Sequence, residues 1–245
     1  MTGTTTDTHP TPAPVEVPTS DGSAHVRVLS GGGPARGTLL LGHGAGGRRD
    51  AADVLALTDL TRDGWTVALV DQPWRVAGRR VAGPPAGLDR AWSEVLTHLA
   101  EGSAPEAAAA SPLLPRPWVY GGRSAGARVA CRTSAPGSAA VEGVAAVLCL
   151  AFPLHPPGRP ERSRAEELAL PLQAGLPVLV VNGTRDPMGS PEEIRDAVGP
   201  HDGLSLHAVP GTHSPSTHLE DVLTHARSFL ATVTSPRPDH RSPTA

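Results

Sequence analysis

Apolar positions along the chain follow two rhythms that alternate. Short continuous apolar runs (Thr38 to Gly42, Trp65 to Asp71, Trp118 to Gly121, Val144 to Phe152 and Pro177 to Asn182) predict buried strands of a parallel sheet. Between them, apolar residues recur three and four apart. Asp50 to Asp63 reads as a helix with Val54, Leu55, Leu57 and Leu60 facing inward, and Leu88 to Glu101 as another with Trp92, Val95, Leu96 and Leu99 inward. A helix begins after Ser124 and carries Val129 and Cys131. A short one spans Glu192 to Val198, and Leu219 to Val233 closes the chain with Val222, Leu223, Ala226, Phe229 and Leu230 facing in. Segments Ala24 to Leu29 and Leu204 to Val209 read as the first and last strands. Strands alternating with helices of this length predict an α/β fold on a mostly parallel central sheet, helices on both faces.

The pattern stops at both ends. Residues 1–14 and 235–245 are rich in Pro, Thr and Ser without periodicity and are expected to be disordered tails around one domain, 15–234. Residues 102–117 read as a long surface loop. A chain of 245 residues suits a single α/β domain with a large core. No apolar stretch is long enough to cross a bilayer, and the start lacks a charged segment followed by an apolar run, so a cytoplasmic protein is the expectation.

Charge removes some chemistries. The net charge of -3 gives no pull toward nucleic acid or anionic lipid. All 21 basic residues are Arg, so a lysine Schiff base is excluded. Cys131 and Cys149 both fall in apolar runs and read as buried thiols. No metal-spaced His/Cys cluster and no phosphate-cradling Gly–Lys loop occurs, so no cofactor or metal is implied.

The strand ending at Gly121 runs into Gly122-Arg123-Ser124-Ala125-Gly126, a Gly-x-Ser-x-Gly turn between a strand and a helix. So tight a turn strains its apex and crowds the positions two residues to either side, and both are Gly. Ser124 is thereby the candidate nucleophile. The alternative is a plain strand–helix turn with a capping Ser.

Two later strand ends supply partners. One reads Asn182-Gly183-Thr184-Arg185-Asp186, the other Pro210-Gly211-Thr212-His213. The order Ser, Asp, His, with each group just past a strand's C-terminal end, fits His213 as general base and Asp186 as the group that orients it. Taken singly, Asp186 is also a turn-forming Asp before Pro187, and His213 one of 11 histidines. The oxyanion donors are expected to be the backbone N–H groups of Ala125 and of Ala45 in the loop His43-Gly44-Ala45-Gly46-Gly47, with His43 bracing that loop.

Arg123 and Arg128 flank Ser124, and Arg75, Arg79 and Arg80 follow an earlier strand at the same sheet edge. They could bind an anionic substrate, or pair with Asp71, Asp186 or Glu94 and fix loops. Trp74 and Phe152 either line the pocket or pack loops.

With these residues in hand, the sequence resembles the dienelactone-hydrolase-related group that includes testis-expressed protein thirty and the third subunit of the NSL acetyltransferase complex. The matching stretches are Gly42 to Gly47, Gln72 to Arg80, Gly121 to Arg128, Leu154 to Gly158 and Asn182 to Pro187. The resemblance implies an α/β-hydrolase fold with a minimal cap and no particular substrate. Dienelactone hydrolases proper carry Cys at the elbow, where this chain has Ser124, and the residue after the nucleophile is often Met in this group, where this chain has Ala125.

The expected activity is hydrolysis of a small ester or thioester through an acyl-enzyme, with a small-molecule acyl substrate as partner. The alternatives are an acyltransferase using the same intermediate and a scaffold that keeps the fold as a binding module. The segment Pro153 to Gly175, where this fold often carries a cap, is short, and its helical part, Arg162 to Leu172, is charged on one side. Short acyl groups, C2 to about C4, are therefore expected over lipids.

Overall fold

A computed structural model describes residues 12–46, 51–101, 114–135, 143–214 and 217–234. The expected tails lie outside the described residues apart from 12–14, as do residues 102–113 of the expected loop.

Eight strands form one sheet: β1 Val15–Thr19, β2 Gly22–Leu29, β3 Gly37–Gly42, β4 Trp65–Asp71, β5 Trp118–Arg123, β6 Val144–Leu150, β7 Val178–Gly183 and β8 Leu204–Val209. Their order is β1-β2-β4-β3-β5-β6-β7-β8; β1 and β2 run antiparallel and β3 to β8 are parallel. This is the mostly parallel α/β sheet that the alternation of runs predicts, in the architecture that the resemblance implies.

The helices are α1 Ala52–Ala56, α2 Pro73–Val76, α3 Pro85–Glu101, α4 Ala125–Thr133, α5 Ala165–Gln173, α6 Pro191–Val198 and α7 Leu219–Val233. A 3₁₀ segment, Leu57–Asp63, continues α1, so the single helix expected over Asp50 to Asp63 is two short pieces. Of the expected inner face, Val54, Leu57 and Leu60 are buried, but Leu55 is exposed, because it follows Val54 directly and turns to the outer side of α1. The change of helix type keeps those side chains on the sheet and ends at Gly64 in a left-handed conformation.

Pleating separates two cores. Leu40, Tyr120, Val147, Cys149 and Val180 face α3, α4 and α5, where Trp92, Leu96, Cys131 and Leu168 meet them. Leu39, Leu41, Val119, Leu148 and Val181 face α1 and α7, against Val54, Leu223 and Phe229. With both faces covered, the central strands must be apolar throughout, which is why they read as continuous runs. Cys131 and Cys149 are buried free thiols with their sulfurs 3.5 Å apart, and burial pushes the Cys131 thiol up.

Two elements had weak signals. β1 holds two inward apolar residues, Val15 and Val17, and ends on Pro18-Thr19, as an edge strand permits. α2 is a single turn started by Pro73. Pro153 to Gly175 forms no separate lobe among the described residues: its helix, α5, packs beside α4. No helix of the described residues is long and apolar enough to cross a membrane.

Candidate active site

The C-terminal ends of β5, β7 and β8 bring Ser124, Asp186 and His213 together. Ser124 has φ 54° and ψ -110°, a conformation that costs an L-residue about 1–3 kcal/mol. Packing holds it there. A Cβ on Gly122 would stand 2.6 Å from the Gly42 carbonyl oxygen, and one on Gly126 would clash with that same oxygen. Only glycine at both positions lets β5 turn into α4 this close to β3. The strained apex is then fixed by its own N–H, which donates to the Leu150 carbonyl at 2.9 Å.

His213 Nε2 lies 2.9 Å from Ser124 Oγ, and its Nδ1 lies 2.8 Å from Asp186 Oδ2. A carboxylate only accepts, so Nδ1 carries the proton and donates it to Asp186. Nε2 is left as an acceptor aimed at the serine hydroxyl. The Asp186 side chain is fully buried, and its other oxygen accepts the Met188 N–H at 2.8 Å. The two loops are stitched together, with Thr184 N–H donating to the Val209 carbonyl and Arg185 N–H to the Gly211 carbonyl, both at 2.9 Å. Sheet pairing thus continues past β7 and β8 and sets the acid against the imidazole.

The other histidines on these elements are engaged elsewhere. His207 stacks on His225 at 3.9 Å between centroids, and burial lowers the His207 imidazole further than its neighbour's charge does. His201 Nδ1 accepts the Gly203 N–H, and His218 pairs with Asp221 at 3.3 Å.

Asn182 is a contributor that sequence reading passed over. It is fully buried at the end of β7, accepts the Phe152 N–H at 2.8 Å, and donates to the carbonyls of Phe152 (3.0 Å) and Gly189 (3.1 Å). It locks the loop after β6 to the loop that carries Asp186. Phe152 itself is fully buried, so it packs the core rather than lining a pocket.

The arginines flanking the serine are committed to carboxylates. Arg123 is buried and its Nε donates to Asp53 at 3.1 Å; its Nη2 donates to the His213 carbonyl at 2.6 Å and to Ser214 Oγ. Burial raises the Asp53 carboxyl above its ordinary value in spite of the guanidinium beside it. Arg128 makes a bidentate pair with Glu167 of α5, and Arg132 bridges Glu167 to Asp89 of α3. Burial alone would raise Glu167, but its hydrogen bonds and the two guanidinium charges outweigh it and hold the carboxyl below its usual value. Of the two readings of Arg123 and Arg128, these carboxylate pairs favour the loop-fixing one over anion binding. Asp71 pairs with Arg27, Glu94 accepts from Ser20 and Asp186 serves His213. Arg75 lies over the Trp74 ring at 5.8 Å, and Arg79 and Arg80 are exposed.

The loop after β3 approaches the serine from the other side. A Cβ on Gly44 would stand 3.6 Å from Ser124 Cβ, so this loop borders the nucleophile at Gly44. His43 braces it as expected: Nε2 accepts the Gln72 N–H at 3.1 Å, which leaves Nδ1 as the donor to the Gly44 carbonyl at 2.9 Å. Ala125 opens α4, so its N–H has no intrahelical acceptor. Trp74 is buried beside His43, 5.2 Å between ring centroids.

A doubly covered parallel sheet, a Gly-x-Ser-x-Gly elbow and a serine–histidine–aspartate chain across three strand ends define the α/β-hydrolase class. The family comparison agrees: residues 35–235 match the alpha/beta hydrolase domain, and the chain belongs to that family. No curated protein matches the chain. Among solved structures it is similar to a dienelactone hydrolase from Anabaena variabilis (18% identity over 91% of this chain and 97% of that one, TM-score 0.66). It is similar too to XC6422 from Xanthomonas campestris, described as an α/β serine hydrolase without lid (18%, 94% and 99%, 0.65). Est1E from Butyrivibrio proteoclasticus is a third (14%, 91% and 99%, 0.67). At these identities the likeness is one of fold.

Proposed function

We propose that this hydrolase cleaves small esters or thioesters through an acyl-enzyme on Ser124. The observation that carries the reading is the unbroken chain from Asp186 through His213 to Ser124, at 2.8 and 2.9 Å, with the imidazole in the tautomer that accepts a proton from the serine. His213 takes that proton as Ser124 attacks the acyl carbon, then returns it to the leaving group. A water activated by the same imidazole releases the acid. Asp186 stabilises the imidazolium formed in each step. The N–H groups of Ala125 and Ala45 face the developing oxyanion in this scheme. Arg123 is a positioning residue, because it ties the residue before the nucleophile to the His213 backbone.

The chain's finer likeness, within the dienelactone-hydrolase-related group, to testis-expressed protein thirty and the third NSL complex subunit is part of this proposal and rests on the stretches quoted above.

The acyl group is short. Trp74 and His43 close the side of the site next to Ala125, and α5 is held in the helix layer by Arg128 and Arg132 rather than raised as an apolar lid. With p-nitrophenyl esters of increasing chain length, kcat/KM is expected to peak between C2 and about C4 and to fall at least about tenfold by C8, as a small pocket requires. A peak at C10 or longer would refute the small-pocket reading.

A further inference from the structure

Beside the elbow lies a small, partly open cavity of about 10 Å³, close to what one water-sized group occupies. Its walls include His43 of the loop after β3 and Ala125 of α4, the two segments assigned to the oxyanion, together with Gln72, Trp74, Leu88 and Trp92. Two of these residues are more than nine-tenths buried and leave polar atoms unsatisfied. Gln72 Oε1 and Trp92 Nε1 have no hydrogen-bond partner among the described residues. The amide orientation is set by the Gln72 Nε2 donation to the Leu88 carbonyl at 3.0 Å, so the oxygen is the atom left over. Leu88 and Trp92 are one turn apart on α3, so the carbonyl that holds the Gln72 amide lies one turn from the residue with the unsatisfied indole. The Gln72 backbone N–H meanwhile holds His43, so one residue joins the oxyanion loop to this cavity.

A buried acceptor and a buried donor on two residues that line one small cavity are complementary to a group that both donates and accepts through a single heavy atom. That group is a hydroxyl. Its approach is set by Ala125, because in the scheme above the acyl carbonyl points its oxygen at the Ala125 N–H, and Ala125 also lines the cavity. The hydroxyl therefore sits on the carbon next to the carbonyl. We propose that Gln72 and Trp92 form a subsite for the 2-hydroxyl of a 2-hydroxyacyl group, which makes short 2-hydroxyacyl esters or thioesters the preferred substrates. This rests on the esterase reading above and adds the substrate class.

Ethyl lactate and ethyl propionate differ only in that hydroxyl and give the first measurement. The lactate-to-propionate ratio of kcat/KM in the wild type is expected to fall at least about tenfold in Trp92→Phe and in Gln72→Leu, because a site built to bind a hydroxyl discriminates by that much or more. The second measurement needs no turnover. The chain has 4 Trp residues, so the Trp92 indole N–H is one of four such resonances in a ¹H–¹⁵N spectrum, and it is identified by its absence in Trp92→Phe. Lactate is expected to shift it and propionate to leave it in place. Equal shifts from the two acids, as when a resident water holds the site, would overturn the subsite, as would a ratio that both substitutions leave unchanged. A lactate-specific shift in a protein that hydrolyses no ester would uphold the subsite and sink the esterase reading instead.

Discussion

Replacing Ser124 by Ala is expected to reduce hydrolysis of p-nitrophenyl acetate to background, a loss on the order of 10⁶ in rate for an activated serine nucleophile. The size follows from the site's layout. Among the described residues, no other hydroxyl lies within hydrogen-bonding distance of His213 Nε2. The strained backbone at Ser124 is set by Gly42, Gly122 and Gly126 rather than by the hydroxyl, so Ala is forced into the same turn. The variant should melt within a few degrees of wild type, since only one hydroxyl is removed. Equal turnover by both proteins would remove Ser124 from the mechanism.

The next largest effect is expected at Asp186. Asp186→Asn places an amide where the fully buried carboxylate accepts the Nδ1 proton. If its NH₂ faces the ring, Nδ1 becomes the acceptor and the proton moves to Nε2, where it opposes the serine hydroxyl. A loss of about 10³–10⁴ in kcat is expected for a wrong tautomer of this kind. Asp221→Asn is the matched control, because Asp221 pairs with the exposed His218 and not with His213. It should change kcat less than about twofold, as exposed pairs contribute little. The reverse pattern, with Asp221→Asn the more damaging, would place the base at His218.

These groups were legible in the sequence because each is announced by its neighbours on the chain. The apolar run before Gly122 and the helical spacing after Ser124 identify a strand–turn–helix. The runs Val178 to Val181 and Leu204 to Val209 point to the ends where Asp186 and His213 sit. The arginine partners were not legible. Arg123 finds Asp53 across 70 residues of chain, and Arg128 finds Glu167 across 39, so proximity along the sequence favours the wrong acids. Asn182 looks like an ordinary turn residue after a strand. Its bridging of Phe152 and Gly189 exists only once β6 and β7 lie side by side. Gln72 falls within one of the stretches that carry the family resemblance, but its unsatisfied oxygen emerges only when α3 is laid against the end of β4.

The most direct test of the central claim is to treat the folded protein with a fluorophosphonate and read the modified peptide by mass. The account predicts a single adduct on Ser124, absent from Ser124→Ala and strongly slowed in His213→Ala, because the reagent reports a hydroxyl activated by a neighbouring base. A folded wild-type protein that acquires no adduct, or carries it on a residue other than Ser124, would contradict the account.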